Sequence, residues 1–153
     1  MDNKVMNGSV LDYIKENYLG RVVAGSRSEA GNWMQLTLEH IEEGSATISL
    51  TVRKEMTNPY GMIHGGMMSL VMDEAIGWAV VSLQAQHHYT SLNLNVDFLY
   101  AIKEGDRLRA VSKIVRHGKK IIHAECTVYD MQGRLLGKGA SNLVVTGMKL
   151  KEG

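Results

Sequence analysis

The chain has 153 residues, 44% of them apolar and 22% charged, enough for one globular domain with a sizeable core. Seventeen Lys and Arg against sixteen Asp and Glu leave a net charge of +1, so there is no field to suggest nucleic acid or a membrane surface as partner. A single Cys excludes an intramolecular disulfide, and the first residues lack a basic-then-apolar leader, which makes the cytoplasm the expected location.

Residues 1–8 are polar and expected to be loose. Ser9 followed by Asp12 reads as a helix cap, and Val10, Leu11, Ile14 and Tyr18 then recur at helical spacing. Gly20 stops this short N-terminal helix, predicted over 9–20. From Trp33 the period becomes two: Met34, Leu36 and Leu38 alternate with polar residues. After a Glu42-Glu43-Gly44 turn, Ala46, Ile48, Leu50 and Val52 do the same, predicting a hairpin with one wet face.

A loop rich in turn residues (Thr57, Asn58, Pro59, Gly61) leads into the segment from Met67 to Leu83, apolar on nearly every helical face. Asp73 and Glu74 interrupt it, and with Ser69 they rule out a membrane span. It reads instead as the buried central helix of the domain. Beyond it, alternating residues predict strands over 92–100, 108–115, 121–129 and 134–146, joined by short turns that suggest an antiparallel meander. A helix apolar all round needs a curved sheet around it and further cover on its last face, which a second subunit would supply.

Gly65 and Gly66 fall at the start of this helix, where backbone N–H groups lack internal partners and the dipole is positive. Such donors can build an oxyanion hole, although two glycines would equally serve to end a loop. At about 100° per residue, Gly66, Ser69, Asp73 and Gly77 share one stripe, so Asp73 faces whatever approaches there and Glu74 points elsewhere. A buried, hydrogen-bonded structural carboxylate is the competing account of Asp73. Gly65 and Asp73 are about 12 Å apart along the axis, so one helix cannot put both on one carbonyl. Two antiparallel copies could, which predicts sites shared between subunits. His64 either donates to a substrate carbonyl or holds the loop, Asn58 either orients a polar group or fixes a turn, and Ser91 opens a strand. The Arg116-His117-Gly118-Lys119-Lys120 turn suits a polyanion but equally reads as a solvated hairpin tip. Leu136-Gly137-Lys138-Gly139 reads as a strand with room for close packing, Cys126 as inert core, and His87-His88 lacks partners at metal spacing.

Asn58-x-x-Gly61-x-x-His64-Gly65-Gly66, with an acid nine residues after the His, resembles the hotdog-fold acyl-CoA thioesterases of the phenylacetic acid pathway type (PaaI-like). The order of elements agrees over roughly residues 30–147. The resemblance implies an α+β fold, with an antiparallel sheet of about six strands wrapped around one long helix. It also implies a homodimer with a continuous sheet, often paired into a homotetramer. It implies hydrolysis of an acyl- or aryl-coenzyme A, with coenzyme A as part of the substrate and no separate cofactor or metal. Asp73 then matches the nucleophile or general base, Gly65 the oxyanion donor, and Asn58 and His64 the residues lining the reacting carbonyl. Ser91 matches a serine that helps place the water, and Gly66 with Arg116, Gly118, Lys119 and Lys120 lies where the coenzyme A would be held. A non-catalytic hotdog module binding acyl-CoA is the alternative. A hotdog dehydratase ranks last, because that chemistry pairs the loop His with a helix Glu.

Overall fold

A computed structural model describes residues 8–149; the stretch expected to be loose falls, apart from Gly8, outside them. Helix α1 (Val10–Asn17) begins at Ser9, whose hydroxyl accepts from the Asp12 N–H while Asp12 bonds back to the Ser9 N–H. Six strands follow: β1 (Thr37–Glu42), β2 (Ser45–Thr51), β3 (His87–Phe98), β4 (Arg107–His117), β5 (Ile121–Asp130) and β6 (Leu135–Lys149). Between β2 and β3 runs the long helix α3 (Gly65–Val81).

Two expectations are corrected here. Trp33 and Met34 are not strand residues but close a short helix, α2 (Glu29–Met34). Ser28 caps it by accepting from the Gly31 N–H, and Gln35 ends it in the left-handed region at φ 53°. Over so few residues an apolar alternation and a helical turn look the same, and the cap decides. The strands also do not form one meander. Their order is β1-β2-β4-β5-β6-β3, so β3 lies beside β6 at the far edge and β4 pairs with β2. Alternation fixes which face of a strand is apolar, not which neighbour it takes. The α3 crossover carries the chain across the whole sheet before β3 begins.

All six strands make contact with α3. Six strands at about 4.8 Å spacing span roughly 24 Å, twice the width of a helix, so the sheet has to curl around it. The close approach is made by glycine. A β-carbon on Gly139 would sit 2.8 Å from Met72 Sδ, and one on Gly137 would sit 2.9 Å from Met72 Cε and from the Asp97 carbonyl. The Ser112 hydroxyl, buried beneath the helix, lies 2.6 Å from the Ala75 carbonyl and 3.1 Å from that of Ala46, tying helix to sheet. Met68, Val71, Met72, Ala75, Ile76 and Ala79 form the buried face of α3.

The two edges of the sheet differ. Along β1, Gly20 and Val23 donate to the carbonyls of Leu38 and Leu36, both at 2.7 Å, so this edge is covered by the chain itself. The β3 edge is open and carries large exposed apolar residues, Leu92 at 61% and Phe98 at 59%.

Candidate active site

The loop before α3 is held as a unit. Asn58 Oδ1 accepts from the Tyr60 and Met62 N–H groups at 3.0 and 3.2 Å, and Gly61 turns the chain at φ 75°. Ile63 N–H donates to the Ile102 carbonyl and His64 N–H to that of Met56, both at 2.8 Å. Asn58 therefore does fix a turn, but only through its oxygen. Its Nδ2 has no hydrogen-bond partner among the described residues and remains a donor.

His64 is the N-cap of α3. Its Nδ1 accepts from the Gly66 N–H at 2.9 Å, which leaves the proton on Nε2. So His64 holds the helix start, and its free ring nitrogen is a donor facing out. With the His64 and Gly66 N–H groups satisfied, Gly65 N–H has no partner among the described residues. It is a helix-end donor at the positive pole of the helix, with no side chain of its own to cover it. Gly66, assigned by resemblance to coenzyme A contact, has its N–H already engaged.

The stripe read from the sequence is present. Gly66, Asp73, Gly77 and Val81 are exposed in the single chain, whereas Ser69 is half-buried and its hydroxyl returns to the Gly65 carbonyl at 2.9 Å. Asp73 makes no hydrogen bond to any described residue and is exposed in the single chain. Partial burial still desolvates it, and its pKa is raised above the ordinary aspartate value. Glu74 has a different setting. It is half-buried against α2, accepts the Ser28 hydroxyl, and faces Gly31, where an added β-carbon would meet Glu74 Oε2 at 2.5 Å. Burial raises its pKa, against the Ser28 hydrogen bond, with the Asp73 charge adding a smaller upward push. One carboxylate of the pair braces α2; the other is free. The sequence contained the signal for this brace, Ser28 and Gly31 in cap spacing, but nothing in it pointed to Glu74 as the partner.

Next to Gly65 lies a cavity of about 330 Å³, half open, whose lining includes Asn58, Ile63, Met68, Phe98, Tyr100 and Leu136. Phe98 forms one wall: a β-carbon on Gly65 would meet its ring at 3.1 Å. Nothing in the alternation of β3 singled out Phe98, since only the register with β6 puts it opposite Gly137 on the helix side of the sheet. By the same register, Ser91 opposite Leu143 shares that face, in the middle of β3 rather than at its start.

The single chain does not gather all the residues read as a site. Asn58, His64, Gly65 and Gly66 cluster beside Phe98, at one end of β3. Ser91 and the basic turn belong to the other end, because Ile121, which follows the turn, pairs with Val144, the partner of Thr90. Eight residues of strand separate Thr90 from Phe98, about 26 Å. Arg116, Lys119 and Lys120 are exposed and make no ion pair with the described residues, while His117 packs edge-on against Tyr89 at 6.4 Å. Gly118 N–H bonds to the Ile121 carbonyl at 2.9 Å and closes the turn. Among the described residues no cluster of three or more His, Cys, Asp or Glu is placed to hold a metal ion. Cys126 is buried, and burial pushes its thiol up to about 12.

A family model described as the thioesterase superfamily matches residues 60–136, from the loop before α3 into β6. A putative esterase of Sulfurisphaera tokodaii is 32% identical over 107 residues, 70% of this chain and 79% of that one. The 1,4-dihydroxy-2-naphthoyl-CoA hydrolase of Escherichia coli is 27% identical over 105 residues, covering 67% of this chain and 76% of the hydrolase. Among solved structures, the PaaI protein from the phenylacetic acid degradation operon of Escherichia coli superposes with a TM-score of 0.75 at 20% identity, over 80% of this chain and 88% of that one.

Proposed function

The chain belongs to the thioesterase superfamily, and from that membership we propose that it hydrolyses the thioester bond of an acyl- or aryl-coenzyme A at a site shared between two subunits. The observation that carries this reading is a pair of unengaged donors, Gly65 N–H and Asn58 Nδ2, lining one apolar cavity at the positive end of a helix. A carbonyl oxygen that gains negative charge is the group such donors stabilise best.

Asp73 supplies the other half of the chemistry. As general base it takes a proton from a water whose oxygen attacks the carbonyl carbon. The resulting oxyanion is held by Gly65 N–H with Asn58 Nδ2, and its collapse breaks the carbon–sulfur bond and releases the thiolate, which then takes the proton. As nucleophile it would attack the carbonyl itself and pass through an anhydride that water cleaves. Either route needs an ionised carboxylate without hydrogen-bond partners in the protein. His64 Nε2–H and Ser91 assist at the carbonyl and at the water. No cofactor is called for beyond the coenzyme A of the substrate.

Asp73 stands eight residues along α3 from Gly65, about 12 Å, so the two act on different carbonyls within one chain. The open β3 edge suggests the remedy. If two copies pair antiparallel along it, the Phe98 end of one strand meets the Thr90 end of the other. Gly65 of one protomer then faces Ser91 and Asp73 of its partner, and the partner's Arg116, Gly118, Lys119 and Lys120 come to the same end as the nucleotide anchor. We place this dimer, pairing further into a tetramer, in the cytoplasm. Among the described residues no helix is long and apolar enough to cross a membrane.

The test is a panel of acyl- and aryl-CoA thioesters assayed for thiol release with wild type, Asp73→Asn and Glu74→Gln. Turnover by wild type, a fall of about 10²–10⁴ in Asp73→Asn and a change of only a few-fold in Glu74→Gln are expected. Absence of turnover on every thioester, with binding retained, would instead make the protein a non-catalytic acyl-CoA binding module.

A further inference from the structure

The cavity beside Gly65 has no role yet beyond its two donors, and its shape bears on which acyl groups fit. Building on the thioesterase reading above, we propose that this cavity receives the acyl group of the substrate and that Phe98 is the residue that limits its size.

A thioester carbonyl held by Gly65 N–H and Asn58 Nδ2 has two arms. The arm through sulfur carries the amides and phosphates of coenzyme A, which lose hydrogen bonds to water if they enter an apolar space. Apart from Asn58, the side chains lining the cavity are apolar, except for the hydroxyl at the tip of Tyr100. The acyl arm therefore goes in and the coenzyme A arm goes out. At about 330 Å³ the cavity is at the small end of the range of roughly 300–1,000 Å³ over which ligand pockets occur. That is room for a compact acyl group.

Its walls differ in how they are held. Met68 and Leu136 are buried at 2% and 0% exposure and packed into the core, so they cannot move aside. Phe98 is the chain's single phenylalanine, 59% exposed at the end of the open strand, with its ring edge against Gly65. That exposure belongs to the single chain: in the proposed dimer the outer part of the ring lies at the seam with the partner's strand, while its edge against Gly65 stays in the cavity wall. The side chain lines the cavity directly beside the donor that would hold the carbonyl, where an acyl group has to pass. Cutting it back to alanine removes the wall and leaves the donors, the helix and the buried floor in place.

The experiment measures kcat/KM for a series of straight-chain acyl-CoA substrates of increasing length, together with aryl-CoA substrates, in wild type, Phe98→Ala, Phe98→Trp and Tyr60→Ala. Tyr60 is a neighbouring aromatic, 86% exposed and outside the cavity lining. Wild type should favour compact groups. Phe98→Ala should raise the long-to-short ratio of kcat/KM about tenfold or more, the scale on which one or two methylenes are discriminated in an apolar pocket. Phe98→Trp should lower it, and Tyr60→Ala should leave it unchanged. An unchanged ratio in an active Phe98→Ala enzyme, or an equal shift in Tyr60→Ala, overturns this assignment while leaving the thioesterase reading intact. Wild type inactive on every thioester would overturn that reading instead.

Discussion

The sharpest test of the proposed oxyanion donor is Gly65→Pro, which removes its N–H. Gly65 is the first residue of α3, the helical position where proline is best tolerated because its N–H has no internal partner. The residue before a proline must be extended, and His64 already is, at φ −66° and ψ 137°. The remaining perturbation is the added ring carbons, of which Cβ would meet Phe98 at 3.1 Å. Gly65→Ala carries the same Cβ and keeps the N–H, so the Cβ contact cancels in the ratio of the two variants, which reports the lost N–H together with the ring Cδ that takes its place. At that distance the Phe98 ring has to give by only a few tenths of an ångström. Each variant should lose under about 1 kcal/mol, some 2–4 °C in melting temperature for a chain of this size. If the N–H binds the oxyanion, kcat for Gly65→Pro should fall about 10²–10³-fold below Gly65→Ala. Rates within threefold of each other, with matching melting curves, would refute the assignment. Co-expressing Gly65→Pro with Asp73→Asn adds a second readout. A site built from two subunits gives hybrid dimers with one doubly damaged and one intact site, and random pairing restores about a quarter of wild-type activity. A site contained in one protomer restores none.

Other outcomes follow from packing and charge. Gly139→Ala places a methyl 2.8 Å from Met72 Sδ, and Met72 is fully buried, so thermal denaturation should show a loss of about 1–3 kcal/mol from overpacking. His64→Ala removes the cap of α3 and should cost about 0.5–2 kcal/mol, with His64→Asn, which can still cap, recovering most of it in urea unfolding. Asp73 and Glu74 both have raised pKa values, so the folded chain holds these protons to higher pH than the unfolded chain does. That contribution is complete in acid, below the unfolded values, and is lost as pH rises through the folded ones. Urea midpoints from about pH 4 to about pH 7 should therefore decline less steeply in Asp73→Asn than in wild type. In the native enzyme Cys126, buried and with its thiol pushed up to about 12, should resist thiol reagents at neutral pH and label only on unfolding.

Local chemistry is what the sequence determined by itself. Ser9 with Asp12 dictates the α1 capping box, Gly44 the hairpin turn at φ 83°, and the glycine pair after His64 the start of α3. Each of these rests on a preference of one or two residues that holds wherever the segment sits. The same is true of the Gly66, Asp73 and Gly77 stripe, because helical periodicity is a property of the backbone. The tertiary structure decided everything that depends on a distant neighbour. No period in β3 says that it pairs with β6 rather than β4, yet that choice turns Phe98 toward Gly65 and leaves one long edge open. The two adjacent carboxylates were distinguished in the sequence only by face. It took α2, packed from 46 residues upstream, to occupy Glu74 through Ser28 and leave Asp73 free. Apolar pattern measures how much a residue wants to be buried; which partner buries it is set by the whole chain closing around α3.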